Sequence, residues 1–126
     1  MKDTTPKKIL IIEDERPLAH ALELKLSHEG FEVVATNSGE EAIERLSKEK
    51  FDLILTDLII PGTDGFKVLE VIQQKKMKLP VIVMTNLNQE EDKKKAYDLG
   101  ATSFFVKSNS PISEIVENVK KTIQSS

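Results

Sequence analysis

The sequence contains no cysteine, no long apolar run and no excess of positive charge. The absence of cysteine excludes a disulfide framework, a thiolate metal site and a sulfur nucleophile. A formal net charge of -3 argues against direct binding to nucleic acid, which needs a clustered positive surface. The polar start MKDTTPKK leads into a short apolar run, which fits neither a secretory signal nor a membrane span of about 20 residues. We therefore expect a cytoplasmic protein that binds neither nucleic acid nor a membrane.

The length of 126 residues is typical of one domain, because it allows one hydrophobic core and is too short for two ordinary ones. Neither an internal repeat nor a low-complexity linker divides the chain. We expect an N-terminal tail over residues 1–8 and one folded domain over residues 9–124.

Five apolar segments alternate with segments of helical spacing. Three are continuously apolar and rich in branched residues, as expected of central strands covered on both faces: residues 9–12, 53–55 and 81–84. Residues 31–35 and 103–106 are expected nearer the sheet edges. Such alternation implies right-handed crossovers and helices on both faces of a parallel sheet. We predict a doubly wound, flavodoxin-like α/β fold with five parallel strands in the order 2-1-3-4-5.

Local signals mark where the helices begin and end. The S-x-x-E pattern at Ser38 and the similar pattern at Asn88 predict capped helix starts. Gly30 and Gly100 follow helical segments, where a left-handed residue ends a helix.

Polar residues follow the apolar segments at their carboxyl ends. Glu13 and Asp14 follow the first segment, and Asp57, Thr85 and Lys107 follow the third, fourth and fifth. Because ligands bind outside the carboxyl ends of parallel strands, we expect these groups to converge. Crowded carboxylates repel one another, so such a cluster normally holds a cation, and oxygen ligands without histidine or cysteine favour Mg²⁺. Taken singly, an acid here is typical of a helix cap or a solvated loop, Thr85 of a strand-end hydroxyl and Lys107 of a surface cation. Taken together, they predict a site that binds magnesium and a phosphoryl group.

Four segments carry a resemblance to a known family: ILIIEDE, DLILTDLIIPGTDG, PVIVMTN and LGATSFFVKS. In order and spacing they resemble the receiver domain of two-component response regulators, of the stand-alone, chemotaxis-regulator-like kind. The resemblance extends over nearly the whole chain.

The resemblance implies a metal-assisted phosphorylation. Asp57 would be the nucleophile and the phosphorylated residue. Asp14 would bind Mg²⁺ directly, Glu13 would act mainly through metal-bound water, and Asp57 and the backbone carbonyl of Ile59 would complete the protein ligands.

The resemblance also implies a switch. Thr85 and Lys107 would each contact a phosphoryl oxygen, and Phe104 would be the aromatic switch residue. The phosphoryl donor would be a sensor histidine kinase or a phosphotransfer protein, and a protein target would read the fourth helix, fifth strand and fifth helix. The chain would promote its own phosphorylation and dephosphorylation without being an enzyme on an external substrate.

Two alternatives share the fold. An FMN-binding enzyme would need a hydroxyl- or glycine-rich loop after the first strand, whereas this loop is acidic and repels phosphate. A pseudo-receiver that serves only as a binding module typically lacks an acid, the threonine or the lysine, all of which are present. The sequence leaves open the cognate kinase, the target, the oligomeric state, and whether this is a natural single-domain protein or a fragment.

Two positions depart from the family. Ser108 follows Lys107 where the family usually has proline, often after a cis bond, and Asn86 stands where a small residue is usual. A cis bond before a non-proline residue costs about 2.5–4 kcal/mol, so we expect this loop to differ from the family.

Overall fold

The computed structural model describes residues 5–62 and 64–124, in which strands and helices alternate. The strands are β1 (Lys8–Ile12), β2 (Glu32–Thr36), β3 (Leu53–Thr56), β4 (Val81–Thr85) and β5 (Ser103–Val106). The helices are α1 (Arg16–His28), α2 (Gly39–Lys48), α3 (Gly65–Gln74), α4 (Glu90–Asp98) and α5 (Ile112–Gln124). A short 3-10 helix, Lys107–Asn109, joins β5 to α5. Lys8 belongs to β1 rather than to the predicted tail, of which residues 1–4 lie outside the described part.

The five strands form one parallel sheet in the order β2-β1-β3-β4-β5, which confirms the predicted topology. Side chains alternate between its two faces, as the geometry of a strand requires. In β1, Leu10 and Ile12 pack with α2, α3 and α4, whereas Ile9 and Ile11 pack with α1 and α5. Helices therefore cover both faces of the sheet.

The central and edge strands differ in burial as the sequence predicts. Every residue of β3 and β4 is buried, whereas β2 and β5 are partly exposed. Among the described helices, none combines the length and the apolar character that a membrane span requires.

The predicted helix signals are correct in all but one case. The Ser38 hydroxyl accepts a hydrogen bond from the Glu41 backbone N–H at 3.2 Å and caps α2. Gly30 and Gly100 have left-handed backbones, with φ angles of 93° and 101°. The cap predicted at Asn88 is wrong, because α4 begins one residue later than that cap requires and no side chain caps it.

Candidate functional site

The register of the strands places the acidic residues side by side. Ile12 of β1 pairs with Thr56 of β3, so the residues that follow them, Glu13 and Asp57, emerge from neighbouring strands at the same edge. Glu13, Asp14 and Asp57 each offer a carboxylate oxygen within 4.8 Å of the others. Sequence-predicted residues from two strand ends thus form one acidic cluster.

Asp57 is buried, and its two carboxylate oxygens have different partners. Oδ1 accepts hydrogen bonds from the backbone N–H groups of Leu58, at 2.6 Å, and Ile59, at 3.0 Å. Oδ2 accepts a hydrogen bond from Lys107 Nζ at 2.6 Å. One oxygen is therefore fixed to the backbone of its own loop, and the other faces the charged groups of the site.

Gly65, at the start of α3, lets this loop pack closely. Its N–H donates to the Leu58 carbonyl at 3.0 Å. A Cβ at this position would overlap the Asp57 carbonyl oxygen and lie 2.5 Å from Leu58 Cα. Sequence reasoning did not single out Gly65, although it is the last residue of the segment DLILTDLIIPGTDG and follows Asp64, whose side chain caps α3.

Lys107 lies among the carboxylates as their shared cation. Its Nζ is 2.6 Å from Asp57 Oδ2, 2.6 Å from Glu13 Oε1 and 3.1 Å from Glu15 Oε2. Burial alone would lower the pKa of Lys107, but its bonds to Asp57 and Glu13 outweigh burial and raise the pKa above its ordinary value. The lysine therefore stays charged. We call Glu13, Asp14, Asp57 and Lys107 the acid pocket.

Glu13 is the most deeply buried carboxylate of the acid pocket. Only 1% of it is exposed, and burial raises the pKa of its carboxyl, while Lys107 and the Glu15 backbone N–H act in the opposite direction. Oε2 accepts a hydrogen bond from the Glu15 N–H at 2.9 Å. Oε1 is paired with Lys107 Nζ at 2.6 Å. The three carboxylates, which include the exposed Asp14, carry more negative charge than Lys107 balances, and their oxygens fit a hard cation such as Mg²⁺.

Ile59 and Glu15 flank the acid pocket. The Ile59 backbone N–H binds Asp57, and 56% of the residue is exposed, so its side chain lies at the surface beside the acids. The sequence indicated Glu15 as part of an acidic loop, but not its ion pair with Lys107, because the path of a loop is not read from strand periodicity.

Thr85 and Phe104 lie on the neighbouring strands β4 and β5. Thr85 is fully buried at the end of β4, and its hydroxyl accepts a long hydrogen bond, 3.3 Å, from the Leu87 backbone N–H. Phe104 of β5 pairs with Val83 of β4 and packs on the same face of the sheet as Val83. Since Thr85 is two residues beyond Val83, Thr85 and Phe104 are on one face of neighbouring strands.

The loop after β5 differs from the proline-containing family pattern. The Lys107–Ser108 peptide bond is trans. The Ser108 backbone N–H, which proline would lack, donates to Asn86 Oδ1 at 3.0 Å. The two departures in the sequence are thus partners in one contact.

Known proteins resemble this chain in sequence and in structure. The family model described as response regulator receiver domain matches residues 9–120. The alkaline phosphatase synthesis transcriptional regulatory protein PhoP of Bacillus subtilis is 34% identical over 120 residues, covering 95% of this chain and 50% of that protein. The chain thus spans about half the length of this relative.

Two solved structures share the fold over nearly their whole length. A CheY-like response regulator receiver domain protein from Methanospirillum hungatei JF-1 has a TM-score of 0.90 at 23% identity, with 96% of each chain covered. A putative response regulator from Chloroflexus aurantiacus J-10-fl has a TM-score of 0.85 at 30% identity, with 95% of this chain and 99% of that one covered. The chain therefore belongs to the response regulator receiver domain family, whose members are phosphorylation-controlled signalling switches of two-component systems.

Proposed function

We propose that this protein accepts a phosphoryl group on Asp57, with Mg²⁺, from a sensor histidine kinase or a phosphotransfer protein in the cytoplasm. The new charge changes the surface that a downstream protein target reads. Residues 9–124 form the unit that does this. The arrangement of Asp57 carries the proposal, because one of its oxygens is fixed by two backbone N–H groups and the other faces Lys107.

The partners of Asp57 favour Oδ2 as the nucleophile. A lone pair of Oδ2 forms a bond to phosphorus while the bond from phosphorus to the phosphohistidine nitrogen breaks, and the departing imidazole keeps that electron pair. Oδ1 stays on the Leu58 and Ile59 N–H groups, which hold the carboxylate during the attack. Lys107 is already within 2.6 Å of Oδ2 and stabilises the charge on the phosphoryl oxygens.

A metal ion would complete the charge balance of the acid pocket. Bound by Asp14, Asp57 and the Ile59 backbone carbonyl, with Glu13 acting mainly through metal-bound water, Mg²⁺ would supply positive charge to the phosphoryl oxygens. Three carboxylates within 4.8 Å of one another, which Lys107 alone does not neutralise, support this assignment.

The switch follows from a new hydrogen bond that the Thr85 hydroxyl donates. Its oxygen accepts one long hydrogen bond, from the Leu87 backbone N–H, and no described residue accepts its proton, so the O–H group is available to donate to a phosphoryl oxygen. A Thr85 side chain that moves toward Asp57 leaves space on the sheet face that Phe104 shares. The phosphoryl group thereby favours one of two arrangements of β5 and the adjacent helices.

Intact mass after incubation with phosphoramidate, with and without Mg²⁺, tests the proposal. We expect a gain of one phosphoryl group that depends on the metal and is absent from Asp57→Asn, a variant of similar shape. Asp98→Asn, which changes an exposed aspartate at the end of α4, is the matched control and should label like the parent. A parent that gains no phosphoryl group would favour the pseudo-receiver, and labelling of Asp57→Asn would place the modification on another residue.

A further inference from the structure

A side chain from the loop after β4 holds the loop after β5. Asn86 Oδ1 accepts the hydrogen bond from the Ser108 backbone N–H at 3.0 Å. Asn86 directly follows Thr85, and Ser108 directly follows Lys107. The contact therefore joins two loops at positions adjacent to two residues of the proposed chemistry.

The position of Lys107 depends on how its backbone is held. Before it, Val106 is the last residue of β5 and pairs with Thr85. After it, the backbone N–H of Ser108 has Asn86 as its partner. The Lys107 ammonium lies 2.6 Å from both Asp57 Oδ2 and Glu13 Oε1, and a flexible side chain keeps both contacts at the smallest cost in conformational entropy when its Cα is held in place.

We propose that Asn86 is a positioning residue for phosphoryl transfer, because its amide holds the Ser108 backbone and thereby keeps Lys107 directed at Asp57. The inference rests on the proposed function, to which it adds a residue outside the acid pocket. The side chain of Asn86 touches none of the carboxylates through a hydrogen bond; its action passes through the backbone of the lysine loop. Misplacing a group by about 1 Å can cost a reaction 100-fold, so a loop contact of this kind is sufficient to change the rate.

The chain offers matched variants for the test. Asn86→Ala removes the acceptor, and folding should survive because Asn86 is exposed. Asn86→Asp keeps an acceptor oxygen for the Ser108 N–H. Asn88→Ala, two residues further along the same loop, changes an exposed asparagine that makes no hydrogen bond with any described residue and serves as the control.

Two measurements separate positioning from a merely structural role. The first is the rate of labelling by phosphoramidate in saturating Mg²⁺, followed by intact mass. The second is made on the unphosphorylated protein and records the Lys107 Nζ resonance and the exchange rate of the Ser108 amide. We expect Asn86→Ala to label about two- to tenfold more slowly, the range given by one hydrogen bond, with an altered Lys107 resonance and faster Ser108 exchange.

The variants also define the results that would overturn the inference. Asn86→Asp should retain slow Ser108 exchange and label faster than Asn86→Ala, and Asn88→Ala should match the parent in every measurement. Equal labelling by the parent and Asn86→Ala would refute the positioning role, and so would slower labelling with an unchanged Lys107 resonance. A parent that takes up no phosphoryl group would refute the proposed function instead, while the resonance comparison would still decide whether Asn86 positions Lys107.

Discussion

The strands below the acid pocket are much more deeply buried than the adjacent flank, which is formed by α4 and β5. Below the pocket, β3 is buried throughout, and β1 is buried except for Lys8. In the flank, every residue of β5 is only half-buried, and Ala96 is the one buried residue that α4 contributes. Few buried contacts mean a low free energy of local opening, so the proposed chemistry lies on the rigid region and the proposed response on the looser one.

Two side-chain contacts of lysine are among those that connect the regions. Lys95 of α4 lies over the ring of Phe66 in α3, with Nζ 4.4 Å from the ring centroid, and this attaches the flank to the helix that follows the Asp57 loop. Lys107 follows β5 but forms ion pairs with Glu13 and Asp57. The proposed change of charge at Asp57 would therefore act on the residue that directly follows β5.

The largest expected effect is on the free energy of unfolding, and it tests whether β3 contributes more to stability than α4. Leu55 of β3 is fully buried, so Leu55→Ala should lower the free energy of unfolding by about 2–5 kcal/mol. Tyr97 of α4 is 42% exposed, so Tyr97→Ala should change that free energy by only about 0.5 kcal/mol. Urea unfolding measures both, and equal losses would contradict the distinction between the two regions.

The sequence predicted the fold because periodicity is a strong local signal. Continuous apolar segments fixed the central strands, and the strand order placed Glu13 and Asp57 at one edge. The roles of the site residues remain predictions, but their grouping needs only strand ends that meet.

Contacts between loops could not be predicted in the same way. The Glu15–Lys107 ion pair and the Asn86–Ser108 hydrogen bond join residues far apart in sequence, through loops without a repeating pattern. The close approach of Gly65 to the Asp57 loop likewise depends on how a helix start packs against a backbone. Asn88 failed as a cap because a cap pattern alone does not fix the residue at which a helix begins.

The next effect concerns the cation that the two regions share. Lys107→Met keeps most of the side-chain length but removes the charge near Asp57 Oδ2, so labelling by phosphoramidate should slow about 100- to 1,000-fold. Lys93→Met, on the exposed surface of α4, is the matched control and should label at the parental rate. A Lys107→Met protein that labels within threefold of the parent, about the effect of one weak hydrogen bond, would show that Mg²⁺ alone supplies the needed charge.

A smaller effect should separate the chemistry from the response. Thr85→Ala leaves Asp57 and Lys107 unchanged, so the protein should still be labelled. Loss of an interaction of about 1 kcal/mol between the hydroxyl and the phosphoryl group should change the ratio of the two arrangements about fivefold. Amide chemical shifts of residues 90–106 should therefore respond much less to phosphorylation than in the parent. A parental response in this variant would mean that the signal reaches the flank through Lys107 and not through Thr85.

The smallest effect concerns the lifetime of the phosphorylated state. It compares a residue beside the acid pocket, Ile59, with a residue in the loop before α4, Leu87. Hydrolysis requires water to approach phosphorus in line, opposite the Asp57 oxygen, so apolar side chains beside that path slow it. The family resemblance implies that the side chains two residues beyond Asp57 and two beyond Thr85 lie beside this path. Here they are Ile59, which is exposed, and Leu87, which is partly packed into the core. Neither side chain orients water through a hydrogen bond, and we therefore expect slow self-dephosphorylation.

The double variant Ile59→Asn/Leu87→Glu should lose its phosphoryl group about three- to tenfold faster in Mg²⁺, as expected when a polar side chain gains a hydrogen bond to the attacking water. Ile59→Asn alone should give most of that acceleration, because the Ile59 side chain lies free at the pocket rim while Leu87 is held by the core. The decay of phosphoprotein, followed by intact mass, measures all three proteins. A larger effect from Leu87→Glu alone would mean that the loop before α4 opens over the pocket and that the looser region, not the rigid one, controls access of water to the phosphoryl group.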